Sequence, residues 1–333
     1  MNTQIITADR IEEAARCIHN GGTVVFPTET VYGLGADSTS VSAIRKIYEA
    51  KGRPGDNPLI VHISDLKMLS KLVSEISPNA EILMNNFWPG PLTLIFKKHI
   101  SVDCSLTGGR DTVAVRFPSN KIAQTLITLS GTTIAAPSAN LSGSPSPTVC
   151  ADVVDDLYGR VDYIIDGNGC EIGLESTIVD VSESETVILR PGAVTLEMIQ
   201  KLIPDAYLDS GLIDKNAIPK CPGQKYTHYS PKADVVVVQG NKENVYNYIQ
   251  NKISTNDNVG VLSYFGNLYI GAKLVLDAGT DMTSYAHNLF SHLRTFDKNN
   301  IKTVYAEFAV EPGMGTAVRN RLYKSAGYSI EEV

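Results

Sequence analysis

Two cationic side chains, Lys51 and Arg53, are separated by a single glycine and followed by Pro54. Glycine and proline here predict a turn, and the apolar run over residues 59–63 predicts a buried strand that ends near His62. Loops at the ends of such strands are where α/β proteins hold ligands. Two cations fixed at such a place predict a binding site for an anion such as phosphate.

More polar residues follow other apolar stretches of the chain. Arg116 and Arg190 each end a short apolar run, while Ser138 and Asn140 follow the run over residues 133–136. A single arginine at such a position is more often part of a structural ion pair. Several cations beside buried strands, however, would be costly to bury without an anionic ligand, and a polyphosphate would compensate them.

Hydroxyl groups precede a glycine-rich segment early in the chain. Thr28 and Thr30 lie just before Tyr32, where a strand over residues 23–26 is predicted to end. Hydroxyls and free backbone N–H groups at such a point can hold the carboxylate of an amino acid, although a merely polar strand end would look the same. A histidine at a strand end is more often satisfied by the backbone than catalytic, so we assign His62 the role of a donor that positions substrate.

Several classes of protein are excluded by motifs that the sequence lacks. It contains no P-loop, no complete dinucleotide-binding glycine fingerprint, no HExxH and no GxSxG. The five cysteines form no C-x-x-C pair, so neither a disulfide framework nor a zinc knuckle is expected. There is no apolar run of membrane-spanning length and no secretory leader pattern, so we expect a cytoplasmic protein without membrane association.

The order of the predicted elements indicates an α/β protein of two domains. Predicted strands at 162–165, 176–181 and 186–190 come without long helices between them, so the sheet of the first domain is expected to be mixed. Towards the C-terminus, strands and helices alternate with short connections, as in a small parallel sheet covered on both faces. We therefore predict a first domain over residues 1–204 and a second over residues 232–333.

The segment between these domains, residues 205–231, is predicted to be an ordered linker. Near its end, residues 225–229 include a lysine, two tyrosines and a histidine. A flexible spacer is usually rich in glycine and serine or in charge. The aromatic and cationic content instead predicts a segment that lies against the pocket as a lid.

Motifs along almost the whole chain resemble those of one family. Over residues 8–203 they read FPTETVYGLGAD, KGRPGDNPLIVHI, WPGPLT, TVAVRFP, APSANLSG, ESTIVD and LRPG. The later motifs CPGQKYTHYSP and GMGTAVRNRL resemble a longer, two-domain branch. Together they are similar to the YrdC/Sua5 family of threonylcarbamoyl-AMP synthases, in its two-domain Sua5 type. The resemblance implies a YrdC-like twisted mixed sheet with helices around a cationic pocket, followed by a small Rossmann-like C-terminal α/β domain.

The resemblance also implies an activity. L-threonine, bicarbonate and ATP would give threonylcarbamoyl-AMP and pyrophosphate, with Mg2+ bound together with the ATP. The product would pass to a tRNA threonylcarbamoyl transferase complex, for formation of N6-threonylcarbamoyladenosine at position 37 of tRNA. Because the reaction joins two anionic groups, charge neutralisation and positioning would supply most of the catalysis. Direct binding of tRNA by this chain is not expected.

By the same resemblance, the candidate site residues fall into two groups. Those expected to bind ATP are Lys51, Arg53, Asn57, Thr112, Ser138, Asn140, Thr148, Arg190, His228 and Tyr229. Those expected to bind threonine and bicarbonate are Thr28, Thr30, Tyr32, His62, Arg116 and Ser176. Lys51 and Arg53 are also expected to be catalytic through the charge they supply, and no residue is expected to ligate a metal.

Two other functions stay open on the residues alone. A non-enzymatic RNA-binding protein could use the same cations, but the formal net charge of this chain is −7, whereas RNA-binding proteins usually carry a basic surface. A carbamoyltransferase that carries a YrdC-like module would need a zinc-finger region with C-x-x-C pairs, which this sequence lacks.

Overall fold

The computed structural model describes residues 2–55, 57–212 and 229–333. The strands in these ranges are β1 (Gln4–Thr7), β2 (Val24–Phe26), β3 (Gly33–Asp37), β4 (Ile60–His62), β5 (Leu92–Lys97), β6 (Thr112–Arg116), β7 (Ile134–Ala135), β8 (Tyr163–Asp166), β9 (Thr177–Asp180), β10 (Val187–Arg190), β11 (Tyr207–Leu208), β12 (Asp234–Gln239), β13 (Val259–Ser263), β14 (Leu274–Asp277), β15 (Thr303–Phe308) and β16 (Ile330–Glu332). The helices are α1 (Ile11–His19), α2 (Val41–Lys51), α3 (Pro78–Phe87), α4 (Cys104–Thr107), α5 (Lys121–Ser130), α6 (Cys150–Leu157), α7 (Leu196–Gln200), α8 (Lys242–Ser254), α9 (Met282–Lys298) and α10 (Met314–Ser325). None of these helices is both long enough and apolar enough to cross a bilayer.

The chain divides into two compact units. The first contains Met1–Ser142 and Ser146–Lys225, and the second contains Gly143–Pro145 and Tyr226–Val333. The sheet of the first unit continues past residue 204, because β11 pairs with β10. A boundary placed at residue 204 would therefore remove a strand from this sheet.

Eleven strands of the first unit form one sheet, in the order β1-β8-β2-β3-β7-β4-β6-β5-β9-β10-β11. The pairs β4–β6 and β5–β9 are parallel, whereas β5–β6 and β9–β10 are antiparallel. The predicted mixed sheet is confirmed. The connection from β9 to β10 is too short to contain a crossover helix, so these strands can pair only in opposite directions.

The ends of two helices around this sheet follow from the sequence. α2 begins after Ser40, whose side chain caps the first turn, and ends at Gly52, which adopts a left-handed conformation with φ of 61°. Lys51 is therefore the last helical residue before the predicted turn. The first helix, α1, begins at Ile11, because the preceding residues Ala8–Arg10 form a 3-10 turn.

The glycine-rich segment after Tyr32 is a strand, whereas the sequence indicated that a strand ends there. β3 pairs antiparallel with both β2 and β7. A Cβ atom on Gly35 would lie 2.7 Å from a side-chain atom of Ile134 and 2.7 Å from the ring of Phe26. Glycine normally weakens a strand, but here it is what lets the neighbouring strands carry large side chains.

The two faces of the first sheet carry apolar clusters of different size. Val61, Leu94 and Val115 belong to the larger core. Because successive side chains of a strand point to opposite faces, their chain neighbours lie on the other side of the sheet. The small cluster on that side consists of Ile60, Ile95, Ala114, Ile178 and Leu189.

The second unit contains a five-stranded parallel sheet in the order β14-β13-β15-β12-β16. With the mixed sheet of the first unit, this confirms the predicted α/β fold class. The order of strands has one feature of its own, since β15 lies between β13 and β12. In the doubly wound dinucleotide-binding fold, the first and second strands are direct neighbours.

Candidate active site

A row of paired residues crosses five strands of the first sheet. His62 on β4 pairs with Arg116 on β6, and Arg116 pairs with Thr93 on β5. Thr93 pairs with Ile178 on β9, which in turn pairs with Arg190 on β10. Paired residues of neighbouring strands project to the same face, so this row shares the face of the small apolar cluster. We refer to the four polar members of this row, His62, Thr93, Arg116 and Arg190, as the polar row.

Arg116 is buried and is held from two sides. Its Nη1 donates a hydrogen bond to Thr30 Oγ1 at 2.9 Å, and its Nη2 lies 2.8 Å from Glu29 Oε1. Its Nε is buried and has no hydrogen-bond partner in the described part of the chain. Arg116 and Glu29 are each only 4% exposed, so their ion pair is shielded from water.

Glu29 was not among the residues that the sequence assigned to the site. Burial raises the pKa of its carboxyl group, but the charge and contact of Arg116, helped by the backbone N–H groups of Glu29 and Ser119, hold the pKa below its usual range. The carboxylate is therefore ionised at neutral pH. The one signal for it in the sequence was its place between two threonines in the FPTET motif.

His62 is buried and uncharged at neutral pH. Burial and the neighbouring Arg116 charge lower the pKa of its imidazole to about 3, although the Glu29 charge and two backbone contacts act in the opposite direction. Its Nδ1 has no hydrogen-bond partner among the described residues, and its ring packs edge-on against Phe26. His62 can therefore accept or donate one hydrogen bond to a ligand as a neutral group.

Lys51 connects the turn that carries Arg53 to the segment that carries Ser138 and Asn140. Its Nζ donates hydrogen bonds to the backbone carbonyls of Ser138 at 2.5 Å and of Asn140 at 2.6 Å. The Ser138 hydroxyl donates to Asn140 Oδ1 at 2.5 Å. The last residue of α2 is thus fixed to the segment that follows β7, which explains why two distant motifs form one place in the fold.

Arg53, Asn57 and Thr112 lie near the beginnings of β4 and β6. Arg53 is half-buried and donates from Nη2 to the carbonyl of Pro58 at 3.3 Å. The Asn57 side chain is buried, and its Nδ2 has no partner within the described ranges. Because β4 and β6 are parallel, Asn57 and Thr112 lie at the same end of this pair of strands, where both strands begin.

His62 and Arg116 are the last residues of β4 and β6, so they lie together at the opposite end of these two strands. Thr112 and Arg116 are the first and last residues of β6, so about 13 Å of strand separates them. Asn57 and Thr112 therefore lie at the end of these strands opposite His62 and Arg116. Arg190, which was predicted to bind ATP, lies instead in the row with the candidates for threonine.

Arg190 and Ser176 are bonded to each other. Arg190 Nε donates to the carbonyl of Ser176 at 3.0 Å, and its Nη2 donates to the Ser176 hydroxyl at 3.1 Å. That hydroxyl lies 2.7 Å from Thr93 Oγ1, which links the pair to the middle of the polar row. Thr93 is a second residue that the sequence analysis missed, although it lies in the WPGPLT motif.

The segment before β3 places three of the predicted hydroxyl groups. Thr28 Oγ1 donates to the carbonyl of Val31 at 2.7 Å and lies 2.8 Å from Thr30 Oγ1, which receives the Arg116 bond. Tyr32 donates from its hydroxyl to the carbonyl of Asn168 at 3.0 Å, and burial raises the pKa of Tyr32. Thr30 therefore contacts the polar row, while Tyr32 is bonded to the loop after β8.

Two of the remaining ATP candidates, Thr148 and Tyr229, make contacts outside the polar row. Thr148 is buried, and its backbone carbonyl accepts a hydrogen bond from Cys170. The Tyr229 ring stacks on Phe290 with 5.2 Å between centroids, and the Arg321 guanidinium lies 5.9 Å from its centre, so this ring packs inside the second unit. His228 and most of the predicted linker lie outside the described residues.

Groups of the protein offset part of the positive charge that a bound polyphosphate was predicted to compensate. Lys51 contacts two carbonyls, Arg116 contacts Glu29, and Arg190 contacts the Ser176 carbonyl and hydroxyl. The cations are therefore held in fixed positions before any ligand binds. Prepared donors of this kind stabilise developing negative charge without a cost of reorganisation.

Comparison with known proteins agrees with these motifs and with this fold. Residues 16–192 match the Sua5/YciO/YrdC family profile, described as "Telomere recombination", and residues 194–327 match the profile "Threonylcarbamoyl-AMP synthase, C-terminal domain". The threonylcarbamoyl-AMP synthase of Pyrococcus abyssi is 45% identical over the full length of both chains. That of Bacillus subtilis is 44% identical, over 96% of this chain and 93% of the relative.

The likeness extends to solved structures. The crystal structure of Pyrococcus abyssi Sua5 complexed with L-threonine superposes with a TM-score of 0.95 and 43% identity, covering 100% of each chain. The matches span both units, in agreement with the two-domain type that the motifs indicated. The chain belongs to the Sua5/YrdC family, in its two-domain threonylcarbamoyl-AMP synthase branch.

Proposed function

We propose that this chain is an L-threonylcarbamoyladenylate synthase, which converts L-threonine, bicarbonate and ATP into threonylcarbamoyl-AMP and pyrophosphate. The observation that carries the proposal is the polar row together with buried atoms of Asn57, His62 and Arg116 that have no partner in the described chain. Such atoms are costly to bury unless a ligand supplies their partners. The names of the relatives, and the threonine bound to one of them, support this choice of ligand.

The proposed chemistry needs charge and positioning rather than a side-chain nucleophile. The amine of threonine takes up the carbon of CO2, or of bicarbonate with loss of water, and becomes a carbamate. A carbamate oxygen then attacks the α-phosphorus of ATP, and pyrophosphate leaves. Nucleophile and electrophile are both anionic, so fixed cations lower the barrier by neutralising charge and aligning the two groups.

The proposed roles divide the candidate residues between ATP and threonine. Lys51 and Arg53 neutralise the phosphates, and Lys51 is held for this by two backbone carbonyls. The other residues proposed to face ATP are Asn57, Thr112, Ser138, Asn140, Thr148, Arg190, His228 and Tyr229. Those proposed to face threonine and its carbamate are Thr28, Thr30, Tyr32, His62, Arg116 and Ser176.

Mg2+ is proposed to enter as part of the ATP complex. The described residues contain no group of three or more His, Cys, Asp or Glu side chains arranged to hold a metal ion. Magnesium in nucleotide sites is commonly held by substrate phosphates, water and one or two carboxylates, so a dedicated protein cage is not required. The ion would neutralise the phosphate charge alongside Lys51 and Arg53.

The proposed product is a mixed anhydride, which water would hydrolyse. We therefore propose that it passes to a tRNA threonylcarbamoyl transferase complex, which uses it to modify adenosine in tRNA. The cytoplasm is the proposed location, because ATP and tRNA meet there and thiols stay reduced. The described cysteines Cys17, Cys104, Cys150 and Cys170 are free thiols.

Release of pyrophosphate with each substrate omitted in turn tests the proposal. Turnover of ATP should require L-threonine and bicarbonate together, because the attacking carbamate contains both. Omission of either one should reduce pyrophosphate release to background. Equal release with ATP alone would mean that the chain is a pyrophosphohydrolase, and the proposal would be rejected.

A further inference from the structure

We propose that Glu29 and Arg116 form a recognition pair for the zwitterion of an α-amino acid. Arg116 receives the carboxylate, and Glu29 receives the amino group. The inference rests on the proposed function and extends it, since it adds a residue that determines which ligands the threonine side of the site accepts.

The first observation is the bonding of the pair. Glu29 Oε1 lies 2.8 Å from Arg116 Nη2, yet neither Glu29 oxygen has a hydrogen bond of good geometry in the described ranges. The same holds for Nε and Nη2 of Arg116. A carboxylate can accept about four hydrogen bonds and a guanidinium can donate five. Arg116 and the backbone N–H groups of Glu29 and Ser119 stabilise the carboxylate without filling this capacity, so the pair still offers acceptors and donors to a ligand.

The second observation is the set of neighbours. Arg116 Nη1 is fixed by Thr30 Oγ1, and the adjacent His62 offers Nδ1 as an uncharged group. Among these four side chains only Glu29 and Arg116 carry charge, so the cluster is neutral as a whole. A hydroxyl from Thr30 and an imidazole from His62 complete a surround that suits a small polar amino acid.

The charge arrangement determines which ligand is favoured. Arg116 alone would attract any carboxylate. With Glu29 ionised beside it, a simple carboxylate is attracted by one member of the pair and repelled by the other. A zwitterion places its ammonium group near Glu29 and its carboxylate near Arg116, so both interactions are favourable. The pair therefore favours an amino acid over a carboxylic acid of the same shape.

The proposed contact between Glu29 and the threonine nitrogen can persist after that nitrogen has become part of the carbamate. The nitrogen of threonine still carries one N–H after it becomes a carbamate, so a donor for Glu29 remains. Glu29 is assigned to recognition rather than to removal of a proton, because it stays ionised and its basicity is weak beside Arg116.

Calorimetric titration of the full-length protein tests the pair. The probes are L-threonine, 3-hydroxybutyrate, which is threonine without its amine, and 1-amino-2-propanol, which is threonine without its carboxylate. The wild type should bind L-threonine at least tenfold more tightly than either analogue. In Glu29→Gln the dissociation constant for L-threonine should rise at least tenfold, while that for 3-hydroxybutyrate should fall or stay unchanged. The preference for threonine over 3-hydroxybutyrate should therefore be lost.

If Glu29 had a purely structural role, Glu29→Gln would weaken the binding of L-threonine and of 3-hydroxybutyrate by the same factor. That result would overturn the inference. Glu29→Asp provides the matched control, because it keeps the charge and removes only one methylene; it should retain the preference for threonine. If Glu29→Gln does not fold, the aspartate variant and the wild type still decide, since loss of preference in the former or tight binding of 3-hydroxybutyrate by the latter contradicts the pair. Absence of any threonine binding by the wild type would refute the proposed function itself.

Discussion

Each cation of the candidate site has a different set of partners, and these partners determine how its charge can be used. Lys51 contacts backbone carbonyls, Arg116 contacts a carboxylate, and Arg190 contacts a serine. Arg53 is half-buried on the turn after α2, with a long contact of 3.3 Å to the Pro58 carbonyl. Arg53 lies beside the end of β4 that is proposed to face the nucleotide, where its positive charge can act on a phosphate.

Replacement of Arg53 by alanine should therefore reduce activity strongly. Loss of a charge-stabilising donor typically costs about 10²–10³ in rate. Arg160 is the matched control, because it is exposed, follows a glycine in a turn and lies outside the proposed site. Pyrophosphate release by Arg53→Ala and Arg160→Ala should differ by at least tenfold. Similar losses in both variants would mean that the nucleotide side of the site is misplaced.

His62 should make the folded protein sensitive to acid. Its pKa is about 3 in the folded state and about 6.5 in the unfolded state, so the unfolded chain takes up the proton first as pH falls. The stability contributed by the neutral imidazole is complete above about pH 6.5 and is lost between there and pH 3. The loss is at most about 1.4 kcal/mol per pH unit.

Urea unfolding of the wild type and of His62→Gln at pH 7.5 and pH 5 measures this effect. Glutamine has no proton to gain, so the wild type should lose up to about 2 kcal/mol more than the variant between these pH values. An equal loss in both proteins would show that His62 takes up its proton in the folded state. In that case burial in the fold would not lower the pKa of His62.

At the scale of elements, the polar row depends on how β9 and β10 end. Gly192 follows Arg190 and Pro191, and its backbone lies against the start of β9. A Cβ atom there would be 2.5 Å from the backbone nitrogen of Thr177 and 2.9 Å from the carbonyl carbon of Ser176. Backbone atoms cannot rotate away as side chains can, so even a methyl group would move Ser176 relative to Arg190.

Gly192→Ala should therefore weaken activity without removing any proposed ligand. A displacement of about 1 Å at a reacting group can cost about 10²-fold in rate. We expect a higher KM for L-threonine and a lower melting temperature. Gly169→Ala is the control, since its nearest contact would be an ordinary 3.7 Å. Normal kinetics in Gly192→Ala would show that the Ser176–Arg190 contact is not needed.

At the scale of the whole molecule, the charge of the chain bears on its partners. The formal net charge is −7, and the cations of the candidate site lie on or beside the first sheet. Proteins that hold RNA through its backbone show affinity that falls steeply with salt. We expect this chain to bind unmodified tRNA weakly at physiological salt, with little change in affinity between about 50 and 200 mM salt.

Fluorescence anisotropy with labelled tRNA over that range of salt checks the expectation. Tight binding at low salt with a steep decline would indicate many phosphate contacts, and the chain would then take part directly in RNA recognition. That outcome would revive the RNA-binding alternative, whereas pyrophosphate release that depends on threonine would still identify the enzyme.

The candidate residues and the mixed character of the first sheet could both be predicted from the order of residues in the chain. Local signals were sufficient for this: Gly52 ends α2 beside Lys51, and short connections make β9 and β10 antiparallel. The motifs around Thr30, Arg116 and Ser138 indicated the family, because side-chain types at fixed spacing are properties of the chain alone.

The contacts among those residues could not be predicted from the chain and depend on the three-dimensional fold. The pairing of His62 with Arg116 depends on hydrogen bonds between strands far apart in the chain, and a shift of one residue would turn one of the two side chains to the other face. The Glu29–Arg116 ion pair and the lowered pKa of His62 arise from burial and short distances, which no local pattern contains. Charge compensation across the sheet is a property of three-dimensional contact, and for that reason it became visible only in the fold.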